Sequence, residues 1–256
     1  MRYGIIGKNI AYSLSPKIHN YHFLALNINA VYEIIDLTLL KDYSGFNVTI
    51  PYKEKIIDYC DELSTEAKEV GAVNCVKVIE GKYFGYNTDT YGFYMLLKKN
   101  NLLIDKKKVL IIGAGGAAKA VYYVFNKYTN MQIFVTNRRS EKAYQITKYV
   151  ILFSDITNIL STFDIVVNCT NVGVQKYESP ITIQTIKESS CFIDLNYQKQ
   201  NAFLDKARTL GAKTINGLEM LIYQAVKSFE IWFNREANIA AIKEILDKEG
   251  INDVNS

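Results

Sequence analysis

The segment Leu110-Ile-Ile-Gly-Ala-Gly-Gly-Ala-Ala-Lys119 constrains the fold more than any other part of this 256-residue chain. The apolar run over 108–112 predicts a strand, the glycines a tight turn, and 115–127 a helix. Together these open a parallel βαβ unit. The rhythm continues with a strand at 131–136, a helix at 140–148, a weaker strand around 150–153 and a helix near 155–161. Strands at 164–168 and 191–195 follow, with a helix at 200–210. Such alternation predicts a parallel sheet covered on both faces. It begins more than a hundred residues into the chain, so the residues before it must form a structure of their own.

That earlier stretch also reads as α/β. Strands are expected at 2–6, 31–35 and 46–50. Ser15 as N-cap and Pro16 at the first helical position open a helix carrying Ile18, Tyr21, His22 and Ala25 at helical spacing. Pro51 opens a second helix through residue 59. Glu80-Gly81 joins strands 73–79 and 82–86 in a hairpin, and 89–99 is helical. The tail from 218 to 247 is helical with a break at Asn234. The reading is two α/β lobes that meet near residue 100, the second Rossmann-like and doubly wound.

Composition narrows the function classes. Hydrophobic residues make up 49% and charged residues 22%, as in an ordinary globular protein. The net charge of +4 is small, and no basic block accompanies it, which argues against nucleic-acid or anionic-membrane partners. Cys60, Cys75, Cys169 and Cys191 lie far apart, and with His19 and His22 they form no metal spacing. Dispersed thiols fit a reducing compartment. The apolar run at the N-terminus is too short for a signal peptide, and no 18-residue apolar span occurs, so the expected location is cytoplasmic.

In the glycine loop, Gly113 makes the turn, Gly115 lets the backbone approach a pyrophosphate, and Ala118 takes the third small position against the strand. Similar turns also occur with no ligand. At the end of the next strand a cofactor with a free ribose 2′-hydroxyl calls for an acid. Here stands Asn137-Arg-Arg139, using two of the five arginines. Planar, always-charged guanidinium groups suit a 2′-phosphate, which favours NADP over NAD, although such a pair also serves as solvated loop charge.

Two stretches of the first lobe suit an anionic, hydroxylated molecule. In Ser13-Leu-Ser15-Pro-Lys17 two hydroxyls meet a helix N-terminus, an arrangement equally suited to plain capping. In Asn47-Val-Thr-Ile-Pro-Tyr-Lys53 a strand delivers Asn47 and Thr49 to its carboxyl end, with Lys53 in the first turn of the next helix. Ligands of open α/β sheets gather at that edge, whereas a helical lysine is ordinarily solvated.

Taken in order, Ser13-Leu-Ser-Pro16, Asn47-Val-Thr-Ile-Pro-Tyr-Lys-Glu54, Gly71-Ala-Val-Asn74 and Gly85-Tyr-Asn-Thr-Asp-Thr-Tyr-Gly92 precede the glycine loop, Asn137-Arg138 and Asn216-Gly-Leu-Glu-Met-Leu-Ile-Tyr-Gln224. The series resembles the shikimate dehydrogenase family from residue 4 to about residue 232. The resemblance implies two domains around a deep cleft, a substrate domain of 1–100 plus 218–256, to which the final helices return, and an NADP domain of 101–217; it also implies reversible NADPH-dependent reduction of 3-dehydroshikimate to shikimate. It makes Ser13 and Ser15 the grip on the substrate carboxylate. Asn47, Thr49, Asn74, Asp89 and Gln224 would hold ring hydroxyls or the reacting centre, with Tyr197 also on the substrate side. Lys53 and Asp89 would form the catalytic dyad. Gly113, Ala114, Gly115, Gly116 and Ala117 would cradle the pyrophosphate, and Asn137, Arg138 and Arg139 would meet the ribose phosphate. Thr170, Gly217 and Met220 would line the adenine or nicotinamide side. No metal is implied, and the assembly would be a monomer or a homodimer.

A lysine in a partly dry site is a sound acid/base for a secondary alcohol, because burial lowers its pKa, while a nearby Asp89 would raise it again. The chain also departs from the family pattern. The 36–45 connection lacks the usual helix, although a parallel crossover generally takes a dozen or more residues. Arg139 replaces a common threonine, Cys169-Thr-Asn-Val breaks a usual Asn-Ala-Thr pattern, and Asp194-Leu-Asn-Tyr197 lacks the proline and threonine that normally follow. Rival readings are an NAD-using quinate/shikimate dehydrogenase, a methylenetetrahydrofolate dehydrogenase of similar build, and a catalytically silent protein that binds NADP or a shikimate-like acid.

Overall fold

The computed structural model describes residues 1–248 and Gly250. The chain forms two compact units, one of Met1–Met95 with the segment that starts at Met220, the other Leu96–Glu219. The last residues of the expected 218–256 segment lie outside the described residues.

The first unit is built on a mixed sheet. Its elements in chain order are β1 (Arg2–Ile6), α1 (Ser15–Ala25), β2 (Val31–Ile34), β3 (Gly45–Val48), β4 (Glu62–Leu63), α2 (Thr65–Val70), β5 (Cys75–Ile79), β6 (Lys82–Tyr86) and α3 (Asp89–Lys99). The strand order is β2-β1-β3-β5-β6-β4. β1 pairs in parallel with β2 and β3, whereas β5 runs antiparallel to β3 and β6. The crossover from β2 to β3 is made by a single 3-10 helix, Leu37–Asp42, which Asp36 opens by accepting the Thr38 N–H at 2.9 Å. The tighter rise of a 3-10 helix lets so short a connection step over β1.

Several local expectations need correction. Leu14, not Ser15, is the N-cap of α1 and makes no side-chain cap, so Ser15 and Pro16 occupy the first two helical positions. Residues 51–59 are a turn followed by a 3-10 helix, Lys55–Tyr59. Lys53 lies in that turn, its carbonyl accepting the Val73 N–H at 2.7 Å, a tertiary bond that takes a backbone group a helix would have used. Helix α2, capped by Ser64 and closed by Gly71 at φ 66°, and the two-residue strand β4 were not expected.

The second unit carries β7 (Lys108–Ile112), α4 (Gly116–Tyr128), β8 (Gln132–Thr136), α5 (Ser140–Tyr144), α6 (Ile156–Ile159), β9 (Ile165–Asn168), β10 (Cys191–Asp194), α7 (Ala202–Thr209) and β11 (Lys213–Ile215). All pairings are parallel and the order is β11-β10-β9-β7-β8. Numbered within the unit this is 2-1-3-4-5, a doubly wound order whose switch point lies between β7 and β9. The expected helix at 140–148 is only α5, and the expected strand near 150–153 is a single bridge from Val150 to Val135. The helix expected near 155–161 is α6 between two 3-10 turns. β11 was missed, three residues being too short for a period. Leu110, Ile112, Val166 and Phe192 of the sheet form the core with Phe163, Phe203 and Leu204.

The chain then returns to the first unit as α8 (Leu218–Phe233) and α9 (Ile239–Lys248). α9 packs on α1, and Trp232 of α8 donates its indole N–H to the Val76 carbonyl at 2.9 Å. A Cβ on Gly45 would stand 2.6 Å from that indole nitrogen, so the glycine admits the tryptophan onto the sheet. Phe23, Tyr3, Tyr32 and Phe229 complete the cluster.

Candidate active site

In the first unit the chemistry collects at the ends of β3, β5 and β6. Lys53 Nζ stands 2.6 Å from Asp89 Oδ2, with the two side chains 17% and 8% exposed. Asp89 opens α3, and its other oxygen accepts from Asn74 Nδ2 at 2.9 Å. Asn74 directly precedes β5 and is locked from both sides. Its Oδ1 accepts the Thr88 N–H at 2.6 Å, and its second amide proton goes to Thr88 Oγ1 at 3.0 Å. Both Asn74 N–H bonds are thus spent within the protein, and in this arrangement Asn74 orients Asp89.

Asn47, inside β3 and 4% exposed, is similarly occupied. Its Nδ2 donates to the Asn74 carbonyl at 3.0 Å and to Ser228 Oγ at 2.9 Å, while its Oδ1 accepts from the Tyr32 hydroxyl at 2.7 Å. Burial raises the Tyr32 pKa well above its ordinary value, so the phenol remains a donor; Ser15, itself buried, lies against it. Ser13 is half-buried, and its Oγ accepts the Ser15 N–H at 3.3 Å; among the described residues its O–H is given to no partner and can be offered to an anion. Thr49 is half-buried just past β3, its carbonyl taking the Tyr52 N–H at 2.9 Å. Gln224, on α8, is 8% exposed and donates to the Leu221 carbonyl at 2.9 Å. α8 comes this close because α3 carries Gly92, where a Cβ would stand 2.6 Å from the Met220 carbonyl oxygen.

Tyr197 stands elsewhere in the chain. It lies half-buried in the second unit, beyond β10. Conversely Met220, expected beside the cofactor, falls in the first unit and is 7% exposed.

In the second unit the glycine loop leaves β7 at the switch point. Gly113 has φ 113°, a conformation that favours glycine, and a Cβ there would press on Thr170 Cγ2 at 3.2 Å. Its N–H is given to the Thr136 carbonyl at 2.8 Å, which ties the loop to the end of β8. Gly115, the N-cap of α4, is different. Its backbone is extended and a Cβ would meet nothing within 4 Å. Among the described residues nothing requires glycine there, so the open space in front of the first N–H groups of α4 fits an incoming phosphate. Ala114 is buried while Gly116 and Ala117 are half-buried beside it, and Ala118 is fully buried where α4 packs on β7 and β8. At the end of β8, Asn137 Nδ2 donates to the Arg139 carbonyl at 2.9 Å, folding the loop. Arg138 and Arg139 are exposed, and among the described residues their guanidinium groups make no ion pair.

A second polar cluster holds the far side of the switch point. Asp194, at the end of β10, accepts from Asn168 Nδ2 at 3.0 Å, from Asn201 Nδ2 at 3.0 Å and from the Asn196 N–H at 2.9 Å. Burial pushes its carboxyl up to about 6, against the downward pull of those donors. Asn168 Oδ1 holds Thr170 through both its N–H and its hydroxyl, and Asn196 Nδ2 reaches the carbonyls of Thr170 and Val172. Gly217 closes the set: its N–H is given to the Asn196 carbonyl at 3.0 Å, and a Cβ would collide with Leu195. Asn168, Asp194, Asn196 and Asn201 in this cluster, like Thr88, Tyr32 and Ser228 in the first unit, escaped assignment from sequence. Polar residues next to a motif were the only signal. Among the described residues no group of three His, Cys, Asp or Glu side chains could hold a metal ion, and no helix is long and apolar enough to cross a membrane.

Comparison with known proteins covers both units. Residues 5–76 match the model of the shikimate dehydrogenase substrate binding domain, 96–196 that of shikimate / quinate 5-dehydrogenase, and 217–246 that of the shikimate 5′-dehydrogenase C-terminal domain. The shikimate dehydrogenase (NADP(+)) of Clostridium botulinum (strain Hall) is 41% identical over 245 residues, covering 90% of this chain and 95% of its own length. Shikimate dehydrogenase 1 of Peptoclostridium difficile superposes with a TM-score of 0.87 at 30% identity, covering 100% of this chain and 99% of that one. The Thermus thermophilus shikimate 5-dehydrogenase, solved in complex with NADP(H) and shikimate, gives 0.85 at 29% identity, covering 97% and 99%.

Proposed function

The chain belongs to the shikimate dehydrogenase family, and from that premise we propose that it is an NADP-dependent shikimate 3-dehydrogenase that reversibly reduces 3-dehydroshikimate to shikimate, a step toward aromatic amino acids. In this reading the first unit binds substrate and the second binds cofactor, and the enzyme works in the cytoplasm. The observation that carries the mechanistic part is the Lys53–Asp89 pair, 2.6 Å apart and largely shielded from water.

Reduction of a ketone leaves an oxyanion that needs a proton, and oxidation of the alcohol must remove one. The Lys53 ammonium gives that proton in one direction, and the amine takes it back in the other. Asp89 holds the Lys53 nitrogen by one oxygen and is itself held by Asn74 at the other, so the donor is oriented before substrate arrives. Ser13 and Ser15 bind the substrate carboxylate, and Thr49, Tyr197 and Gln224 serve the ring hydroxyls; Asn47 and Asn74, whose amide protons are taken within the protein, meet them only as acceptors through Oδ1. NADPH, when bound, supplies the hydride. Gly113 through Ala117 would cradle its pyrophosphate, Gly113 through the turn it makes, since its own N–H is given to the Thr136 carbonyl; Asn137, Arg138 and Arg139 would meet its ribose phosphate, and Thr170, Gly217 and Met220 its remaining surface.

The test is absorbance of reduced nicotinamide with shikimate or quinate, each paired with NADP or NAD. Fast turnover only with shikimate and NADP is the expected outcome. Comparable turnover with NAD or with quinate would overturn the assignment of cofactor or substrate. A folded protein silent in all four mixtures would overturn the activity itself.

A further inference from the structure

Three buried nitrogen and oxygen groups converge on the hydroxyl of Ser228, a fully shielded residue on α8 that also borders the buried Cys75 thiol. Its Oγ stands 2.9 Å from the Gln224 carbonyl oxygen, 2.9 Å from Asn47 Nδ2 and 3.1 Å from Thr88 Oγ1. The chemistry of each neighbour dictates a direction. A carbonyl only accepts, so the Ser228 proton is committed to Gln224. An amide NH2 only donates, so Asn47 takes one Ser228 lone pair. Thr88 is left to act as donor to the other. With its proton so directed, Thr88 offers its own lone pairs to Asn74 Nδ2 at 3.0 Å. Asn74 cannot flip, because its Oδ1 receives the Thr88 N–H at 2.6 Å, and its remaining amide proton is aimed at Asp89 Oδ1 at 2.9 Å.

We infer that Ser228 is a positioning residue for proton transfer: it fixes the direction of the Thr88 hydroxyl, which together with the Thr88 N–H holds Asn74, and Asn74 in turn holds the Asp89 carboxylate against Lys53. The inference rests on the reading of Lys53 and Asp89 as the proton-transfer pair. Without the Ser228 hydroxyl, Thr88 turns its proton toward Asn74 Oδ1, 3.2 Å away, and an Asn47 N–H loses its buried acceptor. A chain satisfied at every atom is then broken at its anchor, and each member loses the polarisation its neighbour supplied.

The experiment compares Ser228→Ala, Thr88→Val and their double variant with Lys53→Ala and Asp89→Asn. Loss of one buried hydrogen bond behind the carboxylate should lower kcat about tenfold in Ser228→Ala and in Thr88→Val. Affinity for NADPH, read by fluorescence titration, should stay as in the parent. The double variant should be no slower than the worse single, because one chain is cut once, and all three should shift the same limb of the kcat–pH profile. Thr88→Ser, which keeps the hydroxyl, should recover the parental rate and profile; this comparison carries the test if Ser228→Ala does not fold. A Ser228→Ala or Thr88→Val rate within about twofold of the parent, an unmoved pH profile, or losses that multiply would overturn the inference. Near-parental turnover in Lys53→Ala and Asp89→Asn would remove the proton-transfer reading, and the inference with it. Loss there with none in Ser228→Ala would remove the inference alone.

Discussion

Arg138 and Arg139 follow β8 with exposed guanidinium groups, and the loop 136–139 that carries them contains no acid. Among the described residues no ion pair takes their charge, which leaves it available to a 2′-phosphate. Replacing both by Ala should raise the KM for NADP by tenfold or more, on the order of two charge-assisted hydrogen bonds, and leave the KM for NAD nearly unchanged. Parallel losses for the two cofactors, measured in steady-state assays, would show that the arginines do not read the phosphate. These residues were legible from sequence because their meaning is local: a strand end, a turn, a helix start. Ser228 was not. Its role depends on α8 lying across residues 47 and 88, well over a hundred positions earlier in the chain, and no periodicity encodes such a meeting. Asn74 was legible as a polar motif residue, but not as one whose two amide protons are already taken.

Helices α3 and α8 owe their close approach to Gly92. Ala is the better helix former by about 1 kcal/mol, so an exposed Gly→Ala change would stabilise. Here the added methyl would sit 2.6 Å from the Met220 carbonyl oxygen and 3.1 Å from both the backbone nitrogen and Cβ of Gln224. Backbone cannot swing aside as a side chain does, so the collision outweighs the propensity gain and α8 must shift. Gly92→Ala should therefore destabilise by about 1–3 kcal/mol, seen as a lower urea midpoint, and slow turnover by moving Gln224. An unchanged midpoint with parental turnover would contradict this contact. Regular elements with a clear period, such as β1, α4 and the β5–β6 hairpin, were readable in advance. The short ones were not, because tertiary bonds define them: the Lys53 carbonyl goes to Val73, and a 3-10 helix does the work of the expected crossover.

For the whole molecule, the two units should answer acid with opposite signs. In the first, burial holds His19 down to about 3, with His22 nearby adding to the effect. Burial, with Arg235 adding to it, holds His22 down to about 4. The unfolded chain protonates these rings below pH 6.5 and the folded unit does not. Stability present above pH 6.5 is therefore lost as pH falls toward 4. In the second unit Asp194, raised to about 6, keeps its proton longer when folded than when unfolded, so acidification from pH 6 toward 4 favours that unit. Trp232, the only tryptophan, is buried in the first unit and reports on it. Its fluorescence should give a lower urea midpoint at pH 5 than at pH 7.5, and His19→Phe should narrow that gap; equal midpoints at the two pH values would contradict the buried neutral histidines. By itself the sequence determined the two α/β units, the switch from one to the other near residue 100, the glycine loop and the residues of its motifs, since each follows from local period, turn chemistry or short spacing. Only the tertiary structure decided the contacts that α8 and α9 make in the first unit's core, the strand order that puts Thr170 against Gly113, and the proton directions around Asp89. Those depend on which distant groups meet, and hydrogen-bond direction is a property of a complete neighbourhood rather than of any segment.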